Sequence, residues 1–168
     1  MQRNNYSLDS RVHGLRISAG VAGMIALFFV YTPAVYGQAV SLLGGNPTLA
    51  ITTAVLGSEP TPVTNTATTV RYRQQPGTVT KLTVSTSCPG QSFTLKVLAV
   101  SPQRGVPAPE VTLVDGMPDA DFIRDIPGGN LTRRTCTLQY TASATFAQGN
   151  SVELGPDIHA VTYTLVAQ

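Results

Sequence analysis

A chain of 168 residues with 11 basic and 9 acidic side chains, and only 12% charged residues overall, has room for one core of ordinary size and a short appendage. A formal net charge of +2 excludes the basic footprint of a nucleic-acid-binding domain. Two cysteines without a Cys-x-x-Cys spacing or companion histidines exclude a dithiol redox motif and the usual zinc site.

The first element is a leader. Arg3, Arg11 and Arg16 precede the uncharged run ISAGVAGMIALFFVYTPAV, which ends in small residues around VYGQA. A basic start, an apolar middle and a small-residue end predict a secretory signal peptide over residues 1–37, cleaved after Gly37 or, alternatively, after Ala39, with Pro33 ending the apolar helix ahead of the cut. The competing reading is an uncleaved anchor, since Ile17 to Val35 nearly suffices to cross a bilayer. Three arginines and Asp9 lie in the leader, so the remaining chain carries 8 basic and 8 acidic residues and is close to neutral. Export places the protein at the cell surface or outside it, with the membrane involved only through the leader.

Residues 38–47, QAVSLLGGNP, follow as an N-terminal extension. From residue 48 to 168 helical periodicity is absent, and short runs rich in Thr, Val, Leu and Tyr alternate with Pro, Gly and Asn clusters. This pattern predicts an all-β domain, an antiparallel immunoglobulin-like sandwich of about seven strands, near 48–56, 67–74, 78–87, 92–100, 109–114, 134–146 and 159–167. Alternation assigns faces: Phe93, Leu95, Val97 and Ala99 share one side of their strand, and Val161, Tyr163 and Leu165 share one side of the last. Arg71 and Arg73, flanking Tyr72 at period two, are read as lining a solvent face.

Candidate chemistry is sparse. Cys88 and Cys136 both sit at strand edges of an exported domain, which predicts one structural disulfide between them. His159 stands alone in PDIHAV and reads as a surface or capping residue. The acidic run DGMPDADFIRD offers a weak calcium candidate in Asp119 and Asp121, without the glycine and distant glutamate of a helix-loop-helix calcium loop. NLT at Asn130 matches a glycosylation acceptor, and Tyr72, Tyr140 and Tyr163 read as packed strand residues. With no nucleophile elbow and no positioned base, the chain reads as no enzyme, and nothing in it calls for a cofactor.

The early cysteine before QSFTLKV, the Gly-Met turn, the TLQYTASATF strand and the final HAVTYTLVA strand resemble the spore coat protein U-like and Csu-type pilin domains of bacteria over residues 48–168. That resemblance implies an immunoglobulin-like sandwich, secretion with a periplasmic chaperone and an usher, and polymerisation by donation of an N-terminal strand. The candidate donor residues are Leu49, Ile51 and Thr53 on one face, with Ala50, Thr52 and Ala54 on the other. Two functions compete: a pilin-like structural subunit that self-associates by β-augmentation, and a monomeric binding module for carbohydrate or protein acting through the loops SPQRGVPAP and DGMPDADFIRD.

Overall fold

The computed structural model describes residues 23–30, 39–74, 77–129, 132–149 and 151–168. Eleven strands among these residues build the two-sheet sandwich expected from the alternation. The first sheet has the order β3 (Thr48–Ile51), β1 (Gly23–Val30), β11 (Asp157–Ala167), β5 (Thr80–Ser87), β9 (Ala120–Ile126) and β7 (Val106–Pro107). The second has the order β2 (Ala39–Leu43), β4 (Val63–Arg73), β10 (Arg134–Ser143), β6 (Thr94–Val100) and β8 (Val111–Leu113). Every pairing is antiparallel except that of β1 with β11. The only helical structure described is a 3-10 turn at Phe146–Gln148 and a single α turn, α1, at Ser151–Leu154. No helix among the described residues is long and apolar enough to cross a membrane.

The core follows from the period of two. On β6 Leu95, Val97 and Ala99 point inward, on β10 Cys136, Leu138, Tyr140 and Ala142, and on β11 Val161, Tyr163 and Leu165, and all are buried. The two inner faces are joined at their centre by the Tyr140 and Tyr163 hydroxyls, 2.8 Å apart. The Phe122 and Tyr163 rings lie 5.4 Å apart at a tilt of 58°, an arrangement aromatic pairs favour. Tyr72 is also inside, its hydroxyl donating to the carbonyl of Arg104 at 2.6 Å, which tethers the 101–110 loop to β4.

Four strands were not expected from the sequence. Gly23–Val30 falls within the predicted leader, whose other residues lie outside the described ones, and Ala39–Leu43 falls within the predicted extension. Val106–Pro107 is a two-residue edge. The fourth, ADFIRDI at Ala120–Ile126, reads as an acidic loop because its alternation is broken: Phe122 and Ile123 are both buried, and the pairing with β5 shifts register around Leu82 and Thr83. Such a bulge turns two successive side chains toward the core. Asp125 ends the irregularity at φ 51, a conformation that aspartate tolerates better than most residues, with its N–H bonded to the Gln168 side chain at 2.9 Å.

Candidate strand-addition site

The part of the fold with an unusual construction is the slot occupied by β1. β3 forms because Leu49 and Ile51 alternate with Thr48 and Ala50, and it stops where the chain turns at Val55–Ser58 (Ser58 N–H to Val55 carbonyl, 2.9 Å) ahead of Pro60 and Pro62. β11 is the longest run of alternation in the chain and pairs on its other side with β5, Ala160 opposite Ser87 through Ala167 opposite Thr80. β1 lies between them. Gly23 to Ala26 run antiparallel to β3, Gly23 opposite Ile51 and Ala26 opposite Thr48. Ile25 to Val30 run parallel to β11, Ile25 opposite Asp157 and Val30 opposite Thr162.

Neighbouring strands sit about 4.8 Å apart, so β3 and β11 are separated by about 10 Å and cannot bond to one another. Their facing N–H and C=O groups are satisfied only through an intervening strand. That strand is drawn from the apolar segment GMIALFFV, and its parallel pairing with β11 is the exception in an antiparallel sandwich.

The candidate donor residues lie in their own domain. Leu49 (1% exposed) and Ile51 (6%) are core residues, Thr53 is exposed beyond the end of β3, and Ala50, Thr52 and Ala54 are exposed as well. The segment is a wall of the slot, and its burial ties it to its own sandwich. The predicted extension is the edge strand β2, paired to β4 from Ala39 opposite Arg73 to Leu43 opposite Thr69, with Val40 buried. Gly44 ends it at φ +97, where an added Cβ would come within 2.2 Å of the Ala67 carbonyl oxygen.

The expected disulfide is corrected: Cys88 and Cys136 are both free, buried thiols. Cys88 accompanies the start of β6, since its N–H donates to Asp115 just past β8, and Leu113 of β8 is opposite Leu95. Cys136 lies at the other end, its sulfur 3.5 Å from the carbonyl of Val100. The length of β6, about 20 Å, separates them, whereas a disulfide needs Cα atoms within about 7 Å. Strand-edge position alone did not reveal which ends of the sandwich the two edges occupy. Burial pushes the Cys136 thiol up to about 11; burial and then the Asp157 charge push Cys88 up to about 11. Both are protonated, poor nucleophiles at neutral pH.

The chain matches no protein-family model, and no curated protein matches it.

The calcium candidates lie on and just before β9. Asp121 pairs with Lys81 at 2.6 Å and Asp119 is exposed in the preceding loop. His159, expected at the surface, is fully buried, and burial lowers its pKa below the usual histidine value. Its neighbour Asp157, whose carboxylate accepts N–H bonds from Ser92 (3.0 Å) and Phe93 (2.7 Å), is buried as well. Counting back by two from Tyr163 and Val161 places both on the inward face of β11, a signal present in the sequence and masked there by their polarity. Arg71 and Arg73 are half-buried and, with Ala39, Ser41, Tyr72 and Arg133, line a cleft of about 270 Å³ beside β2. Asn130 of the NLT motif lies outside the described residues.

Proposed function

We propose that this is an exported, non-enzymatic structural protein whose subunits associate by β-strand addition at the slot between β3 and β11. The observation that carries the reading is the occupant of that slot: the strand completing the sheet comes from the segment that reads as a signal peptide. Loss of the leader removes β1 and leaves the edges of β3 and β11 facing each other across an empty slot. Such a groove takes an extended segment from another chain, main-chain hydrogen bonds giving affinity and alternate side chains giving specificity. A periplasmic chaperone is the natural temporary occupant, because an open slot in a fresh subunit invites aggregation.

The donor is the first strand of the cleaved chain. β2 is held on one side only, its Val40 and Leu42 alternate with Ser41, and the Gly44–Gly45 pair joins it to the body. The protonated, buried thiols support the non-enzymatic part of the reading.

The test uses a chain beginning at Gln38. It is expected to self-associate, as read by light scattering, and an excess of a synthetic 38–47 peptide is expected to suppress that association. A stable, monodisperse monomer beginning at Gln38 would overturn the proposal.

One observation favours a second reading, a binding module. The cleft lined by Arg71, Arg73 and Arg133 has the size and charge for an anionic sugar or peptide group. Binding of a sulfated oligosaccharide lost in Arg71→Ala and Arg133→Ala would support it, in place of the loops named from the sequence.

A further inference from the structure

At the end of the sandwich nearest the start of β11, three side chains of different chemistry meet. Cys88 (2% exposed), Asp157 (5%) and His159 (0%) each present a ligand atom, and these atoms all lie within 4.8 Å of one another. The sheet brings them together for a simple reason. Ser87 is opposite Ala160 in the β5–β11 ladder, so the next antiparallel position sets Cys88 opposite His159, and Asp157 lies two residues before His159 on the same face. Cys88 therefore has the companion histidine that its surroundings in the sequence do not show.

A second observation is independent of the clustering. His159 Nδ1 is 3.2 Å from the buried Thr86 hydroxyl, whereas Nε2 has no hydrogen-bond partner although the residue is fully buried. A polar atom enclosed without a partner costs stability, and native structures seldom keep one unless something binds it.

We propose that Cys88, Asp157 and His159 bind a divalent transition-metal ion of zinc type, with water in the fourth position. The donor set is sulfur, nitrogen and carboxylate oxygen, which suits a borderline-soft ion and not calcium or magnesium. The charges close: a thiolate and a carboxylate neutralise a dication, so the loaded site is neutral, as its burial requires. Binding forms the metal–sulfur bond at the expense of the S–H bond and releases that proton to solvent.

The surrounding shell is in place. Thr86 fixes the ring of His159 through Nδ1, leaving Nε2 for the ion, and the Ser92 and Phe93 N–H groups hold the Asp157 carboxylate. Cys88 leads directly into the exposed Pro89–Gly90 turn, closed by the Gln91 N–H to Cys88 carbonyl bond. The ion would pin the end of β5 to the start of β11, beside the strand slot.

The test is a titration of the full, reduced, chelator-stripped protein with Co(II), then Zn(II). One equivalent of Co(II) is expected to give a thiolate-to-cobalt charge-transfer band that Zn(II) abolishes, and Zn(II) is expected to raise the thermal midpoint. The band is expected to persist in Cys136→Ser and in Asp119→Asn with Asp121→Asn, and to vanish in Cys88→Ser. Thr86→Val is expected to weaken binding about tenfold. No band in the folded, unsubstituted protein overturns the proposal whatever the variants do, as does a band that survives Cys88→Ser or depends on Cys136.

Discussion

The Tyr140 hydroxyl of one sheet and the Tyr163 hydroxyl of the other meet at 2.8 Å in the centre of the sandwich, both fully enclosed. A polar contact there is worth little more than a neutral hydrogen bond while intact, but breaking it strands a hydroxyl away from water. Tyr140→Phe is expected to cost about 1 to 3 kcal/mol in urea unfolding, because Tyr163 loses its partner. The double change to phenylalanine should cost less than the sum of the two single changes; strict additivity would show that the hydroxyls are not coupled.

Stability should fall in alkali. Burial raises the Cys136 thiol from about 9 to about 11, and Tyr140 and Tyr163 are raised as well. The unfolded thiol loses its proton at lower pH than the folded one, so above pH 9 unfolding is coupled to proton loss, and that part of the stability disappears as pH rises through 11. The urea midpoint is expected to drop between pH 8 and pH 10.5, and Cys136→Ala should reduce the drop. An unchanged slope in that variant would place the effect on other groups.

Both thiols should react only on unfolding. With the sulfurs at opposite ends of the sandwich, protein denatured without reductant is expected to take up two alkyl groups by mass spectrometry, and native protein none at neutral pH. An unreactive denatured chain would reveal a bond between them.

Burial separates the residues first read as a donor strand. Leu49→Ala is expected to cost about 2 to 5 kcal/mol, as for other large-to-small changes in a core. Thr53→Ala, exposed beyond β3, should stay within about 0.5 kcal/mol. Equal and small effects at both positions would restore 48–54 as a detachable segment.

Adjacent glycines should differ. Both Gly44 and Gly45 have positive φ, but only at Gly44 would a Cβ strike backbone, 2.2 Å from the Ala67 carbonyl. Gly45→Ala is expected to cost about 1 to 2 kcal/mol for its conformation alone. Gly44→Ala should cost more and loosen β2 from β4, read as faster amide exchange at Val40 and Leu42; the same exchange in both variants would count against the clash.

Much of the fold was legible in the residues. Alternation in SFTLKVLAV and HAVTYTLV placed two strands and their inward faces, and RTCTLQYTAS was placed as a third strand, because a period of two admits one buried side and any slip of register would bring polar side chains into the core. β9 was not legible, since its bulge sends Phe122 and Ile123 the same way and breaks that period. β2 was hidden by shortness and the following glycines, and β1 by a composition that serves equally for a leader and for a strand.

The sequence by itself determined an all-β sandwich and which residues of its main strands face inward, because those are local properties of alternation and turn chemistry. Only the tertiary structure decided which distant residues meet. It set Cys88 beside His159 and Asp157 and about 20 Å from Cys136, and it made Thr48–Ile51 a wall of the slot filled by β1. Partners across a sheet depend on strand order and register, which arise from the packing of the whole core and are not carried by any single segment.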